Sequence, residues 1–198
     1  DVIITLAHVA SIDAFQHWAY TDPAGADAAA RDAAWLRIRA RFEQGVDWSG
    51  LEPERIARWY RQLHVFLYPF YYIEYGIAQL GALQVWRNSL RDPAGAVARY
   101  REALALGATR PLPALYEAAG GRLAFDAGTI GELVGLVEEE IRRLTSLSCS
   151  AGIAPNKFLA KVASETNKPD GLTIIAGRDA ATVAHSLPVG KVPGVGKK

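Results

Sequence analysis

Leu147-Ser148-Cys149-Ser150-Ala151-Gly152-Ile153-Ala154-Pro155-Asn156-Lys157-Phe158-Leu159-Ala160-Lys161 is the stretch where the chain changes its period. Upstream, from Val2, apolar residues recur every three or four positions and breaks fall at glycine or proline, which is the signature of helix after helix. From Leu147 to Ala154 small and apolar residues run without that period, as in a buried strand. Asn156 to Asn167 then reads as a helix, Leu172 to Ile175 as a second strand and Asp179 to Leu187 as a short helix. The expected fold class is therefore mainly α, with a helical bundle over residues 1–146 followed by a small α+β fragment over 147–198.

In the helical region the spacing predicts helices at roughly 2–20, 27–44, 53–66, 70–91, 94–106, 112–119 and 128–146. Asp92-Pro93 supplies an acidic N-cap and a first-turn proline, Glu52-Pro53 is similar, and Gly107 and Gly120 stand where C-terminal glycines belong.

The 198 residues are 50% hydrophobic with a formal net charge of +1, so a soluble globular chain is expected. Neither a membrane span nor a secretory leader is expected. With one cysteine, Cys149, the chain can form no internal disulfide, which points to a reducing compartment and the cytoplasm. Residues 147–198 hold seven Lys or Arg against three Asp or Glu, which leaves the remainder acidic. The basic end either faces an anionic partner or is a solvated surface.

The densest chemistry lies in Gln62-Leu63-His64-Val65-Phe66-Leu67-Tyr68-Pro69-Phe70-Tyr71-Tyr72-Ile73-Glu74-Tyr75-Gly76, where a histidine and four tyrosines straddle a helix-breaking proline. Phenol hydroxyls donate hydrogen bonds at neutral pH, so two of them converging on one point could hold the oxyanion formed when water attacks a carbonyl. The competing reading is core packing, each hydroxyl reaching a local partner.

The segment Ile12-Asp13-Ala14-Phe15-Gln16-His17-Trp18, the run Trp59 to Gly76 with Ala78-Gln79-Leu80, and Leu104-Ala105-Leu106-Gly107 with Leu112-Pro113 together resemble oligoendopeptidase F. That family is a relative of thimet oligopeptidase, in which a helical bowl encloses zinc and cleaves short peptides. The resemblance spans residues 1–144. It implies that His64 is the substrate-binding histidine, that Tyr68 and Tyr75 are the tyrosine pair facing the reacting carbonyl, and that Tyr72 stands between them, with Tyr71 able to exchange roles with Tyr72. Short peptides are the implied partners. The family's zinc requires H-E-x-x-H and a further glutamate, and this sequence has neither; its histidines stand at 8, 17, 64 and 185. N-terminal truncation is the simplest expectation, with no cofactor expected for this chain. His8 and His17, nine residues apart, are expected to be structural.

Leu147 to Lys161, continuing through Asn167-Lys168-Pro169-Asp170-Gly171-Leu172, resembles the palm of bacterial DNA polymerase IV, a Y-family lesion-bypass enzyme. Lys191-Val192-Pro193-Gly194-Val195-Gly196-Lys197 resembles the start of its thumb. The resemblance implies that Lys168 contacts the triphosphate of an incoming dNTP, and that Gly194, Gly196 and Lys197 meet DNA backbone through glycine-freed amides and a cation. Lys157 and Lys161 fall on the palm helix. The magnesium-holding carboxylates of the intact family lie in polymerase sequence that this chain does not contain, so binding of DNA or dNTP is expected to be weak at most. Three readings follow: a zinc-oligopeptidase fragment without its zinc motif joined to a polymerase fragment, a polymerase-like DNA-contact segment, or a chance fusion without selected function.

Overall fold

A computed structural model describes residues 2–43, 46–169, 171–188 and 190. The chain is mainly helical, as expected, and forms two compact units, Asp1–Gln79 and Leu80–Lys198. No helix among the described residues is long and apolar enough to cross a membrane.

The first unit begins with α1 (Val2–Thr21), a 3-10 turn over Pro23–Ala26 and α2 (Ala28–Arg39). Asp27 caps α2 by accepting from Ala30 N at 2.7 Å, which satisfies one of the amides a helix start leaves unpaired. α2 ends at Arg39 instead of running to 44, because the chain turns over Ala40–Phe42 and returns Glu43 to Arg39. The expected helix at 53–66 is three pieces: α3 (Glu52–Ala57), a 3-10 turn over Arg58–Arg61 and α4 (Leu63–Leu67). The break sets Trp59 into the core, where its indole N–H donates to Asp32 at 2.9 Å.

Ile12 and Phe15 of α1 face Ala34, Trp35 and Ile38 of α2 at helical spacing, and Trp59 and Val65 close this core. Phe15 is wholly buried, with ring centroids 5.3 Å from Trp35, 5.1 Å from Trp59 and 6.3 Å from Trp18. A five-residue helix cannot satisfy its own carbonyls. α1 supplies the donors: Gln16 Nε2 to His64 O at 3.2 Å and Tyr20 Oη to Val65 O at 2.7 Å. These bonds fix the helix that carries His64.

α5 (Ile73–Ser89) begins after Pro69 and a turn in which Phe70 takes φ +62°, so the expected helix start at 70 is three residues early. In the second unit the end of α5 is followed by α6 (Pro93–Leu106), α7 (Leu112–Ala118) and α8 (Ala127–Thr145). Buried Gln84 donates to Arg122 O and accepts from Arg122 N, both at 2.9 Å.

The β-α-β unit expected after Leu147 is present. β1 (Ala151–Ile153) pairs in parallel with β2 (Leu172–Ile174), Ala151 opposite Leu172 and Ile153 opposite Ile174. α9 (Lys157–Thr166), capped by Asn156, connects them, and α10 (Ala180–Ser186) follows. Pairing extends only as far as both strands reach, so β1 is shorter than the run 147–154. Leu159, Ala163 and Ile175 form its core. A Cβ on Gly152 would strike the backbone of α9 at Ala160 and Ser164; strand and helix pack this closely because residue 152 has no side chain. α8 packs on both strands. Its Gly131 and Gly135, one turn apart, lie under Ile174 and Leu172.

Candidate functional site: an aromatic wall beside an arginine cluster

The proline break and the Phe70 turn reverse the chain between α4 and α5. His64 thereby becomes the hub of the tyrosines that follow it. Its ring centroid lies 4.9 Å from Tyr72, 5.8 Å from Tyr75, 6.0 Å from Tyr71 and 6.1 Å from Tyr68. Tyr71 stacks parallel to the imidazole, and Tyr75 stands at 90° to it. Tyr72 also packs on the first unit's core, while Tyr68, Tyr71 and Tyr75 are about half exposed. Gln62 Nε2 lies 3.2 Å from His64 Nδ1.

Two other tyrosines of the unit behave as packing residues do: Tyr20 donates to Val65 O and Tyr60 to Asp32. No hydrogen bond is recorded among the described residues for the hydroxyls of Tyr68, Tyr71, Tyr72 or Tyr75. The structure thus assembles all four around one imidazole.

Behind this wall lies a cluster that sequence reading did not single out. Glu43, with its side chain only 8% exposed, pairs with Arg39, with Arg58 at 2.6 Å and with Arg55 at 3.7 Å. The last distance is too long for a hydrogen bond, so Glu43 Oε2 and Arg55 Nε are buried without one. Arg39 also donates to Ser11 Oγ at 2.6 Å and lies 3.2 Å from His8 Nδ1. His8 is thus packed against the buried arginine of the cluster. Burial above all, then the charges of Arg39 and Arg58, hold its pKa below the usual value, against opposing effects of Gln62 and Glu43. The spacing Arg55-x-x-Arg58-x-x-Arg61, with no acid between, was the available signal. His17 pairs with Asp13 at 3.7 Å and contacts Phe70.

In the second unit, Lys168 Nζ lies 2.8 Å from Glu165 Oε1 and Lys161 Nζ 2.5 Å from the same oxygen. Hydrogen bonds from Lys161 and then Lys168 hold the Glu165 carboxyl down to about 2. Because the folded value is depressed from 4.5, this pairing contributes fully above pH 4.5 and is lost as pH falls through about 2. A carbon-13 titration of the Glu165 carboxyl should give a midpoint near 2, moving up toward 4.5 in Lys168→Ala; a wild-type midpoint at 4.5 would show the lysines unpaired. Gly194, Gly196 and Lys197 lie outside the described residues.

Among the described residues no group of three or more His, Cys, Asp or Glu side chains comes together. Neither the zinc of the peptidase family nor the magnesium of the polymerase family finds a donor set there.

The sequence profile of the impB/mucB/samB family (IMS) matches residues 88–165. DNA polymerase IV of Methanoculleus marisnigri is 49% identical over 76 residues, 37% of this chain and 21% of the relative. DNA polymerase IV of Xanthomonas campestris pv. campestris is 52% identical over 66 residues, 33% of this chain and 18% of the relative. A crystal structure provisionally assigned as an oligoendopeptidase F matches 71% of this chain and 25% of its own at 31% identity, with a TM-score of 0.59. The chain resembles two families at once. It spans about a fifth of the polymerase relatives and a quarter of the oligoendopeptidase F structure. The polymerase-like match begins at residue 88, well ahead of Leu147, and so takes in α8.

Proposed function

We propose that the oligoendopeptidase F-like region presents a peptide-binding wall, in which His64, Tyr68, Tyr72 and Tyr75 hold the backbone of a short peptide. The observation that carries this reading is the convergence of four tyrosine rings on His64 within 6.1 Å. Hydroxyls on such a wall donate to a substrate carbonyl, and would bind an oxyanion at the same place more tightly because charge develops there. Zinc, as in the peptidase family, would polarise that carbonyl and activate water. Among the described residues no fitting ligand set comes together, so hydrolysis is not part of this proposal.

The test is a quenched short peptide offered with zinc, with and without chelator, alongside binding of a labelled peptide by fluorescence polarisation. No chelator-sensitive turnover is expected. Tyr75→Phe should weaken peptide binding by roughly three- to tenfold, the size of one lost hydrogen bond. Robust zinc-dependent cleavage would overturn the non-hydrolytic reading, and peptide affinity unaffected by both Tyr75→Phe and His64→Ala would overturn the assignment of the wall.

A second reading, favoured by the 49% identity to a DNA polymerase IV, is that the polymerase-like segment touches DNA, with Lys168 and the Gly194, Gly196 and Lys197 segment as its contacts. Lys168 would have to exchange Glu165 for a phosphate. Affinity should fall steeply with salt, as phosphate contacts do; undetectable primer-template binding at low salt removes this reading. Two joined pieces remain the proposed organisation. The packing of α8 on β1 and β2 supports a junction ahead of α8, near Arg122–Asp126, as an alternative to one near 146.

A further inference from the structure

We propose that the recess lined by His8, Trp35, Arg58, Arg61 and Gln62 in the first unit is a binding site for a small oxyanion, a carboxylate or a phosphate group. The recess measures about 240 Å³, the room of about eight waters at roughly 30 Å³ each. Ile12 and Trp35 give it apolar lining, and Arg58, Arg61 and Gln62 line it as well. One Arg58 N–H already meets Glu43 and the Gln62 amide lies against His64, but the remaining guanidinium N–H groups of Arg58 and Arg61 suit an oxyanion, which offers several acceptors on one small body.

Charge favours the same occupant. Arg39, Arg55 and Arg58 share one carboxylate, Glu43, so that network keeps a positive surplus. Arg61 adds another positive charge, with no ion pair recorded for it among the described residues. Burial first, and then the charges of Arg39 and Arg58, hold the His8 pKa down, in keeping with positive charge beside the recess. Two guanidinium forks at one opening match the planar carboxylate and the tetrahedral phosphate alike. Gln62 connects this recess to the aromatic wall through its contact with His64, and His8 stands edge-on to Tyr72 at 5.7 Å.

The test is isothermal titration of the whole 198-residue protein at low ionic strength with inorganic phosphate and, separately, with succinate. Neither probe is a peptide, so a protein that neither binds nor cleaves peptides still answers the question. Saturable one-site binding of either anion is expected, and the tighter of the two identifies the group. Arg61→Gln, a change at an exposed position, should keep the circular dichroism spectrum and weaken binding about tenfold, the loss of one charged hydrogen bond. Arg58→Gln should do the same, with its melting curve confirming that the unit is folded. No saturable binding of either anion, or binding unchanged in Arg61→Gln, would overturn the proposal.

Discussion

Phe15→Ala should lower the unfolding free energy of the first unit by about 3–5 kcal/mol, the range for deleting a buried aromatic ring. Phe15 is 0% exposed and stands at the junction of Trp18, Trp35 and Trp59, whose rings lie at three different angles to it. Alanine there leaves a void walled by three rigid indoles. Rigid walls collapse poorly, and so the cost should fall toward the upper end of the range. Four of the five tryptophans, Trp18, Trp35, Trp48 and Trp59, belong to this unit, so denaturant melts followed by tryptophan fluorescence report on it. A loss below about 1 kcal/mol would mean that the indoles do not close around Phe15.

Glu43→Gln should cost a comparable amount, about 3–5 kcal/mol, because it breaks a buried pair by neutralising one member. The decisive partner is Arg39: both side chains are only 8% exposed, and its guanidinium also lies over the Trp35 ring at 5.4 Å. Arg58, at 39% exposure, can turn to water and contributes little. Arg39 cannot, and keeps its charge at any accessible pH. A Glu43→Leu, Arg39→Met double variant removes the two most buried charges and should recover part of the loss, because the arginines left without Glu43, Arg55 and Arg58, are more exposed, at 28% and 39%. Denaturant midpoints across this cycle check it. If the double variant is as damaged as the sum of its parts, the pair does not act as a unit.

Much of the fold was legible in local signals. Asp92 caps α6 and Gly107 ends it as their places in the sequence indicated, whereas Glu52 lies inside α3, whose N-cap position is Leu51 with no side-chain bond. Pro69 ends α4 and the strand-helix-strand order after Leu147 is present. The errors have tertiary causes. The 53–66 helix is broken because Trp59 must reach Phe15 and Asp32. α2 stops at Arg39 so that Glu43 can return to it.

Of the candidate site, the residues were legible and their mutual placement was not. His64, Tyr68, Tyr72 and Tyr75 were named from a motif, but their meeting depends on a left-handed Phe70, which no propensity favours. The arginine cluster was overlooked because its anchor, Glu43, lies up to 15 residues away along the chain.

What this sequence determined by itself is the order and type of most of its helices and strands, because capping and apolar period act within one turn of chain. Tertiary structure alone decided that three arginines share one buried glutamate and that α8 lies on the two strands. Those contacts join residues distant in sequence, and depend on how faces of similar apolar character choose among partners, a choice made by shape and charge once the elements have met.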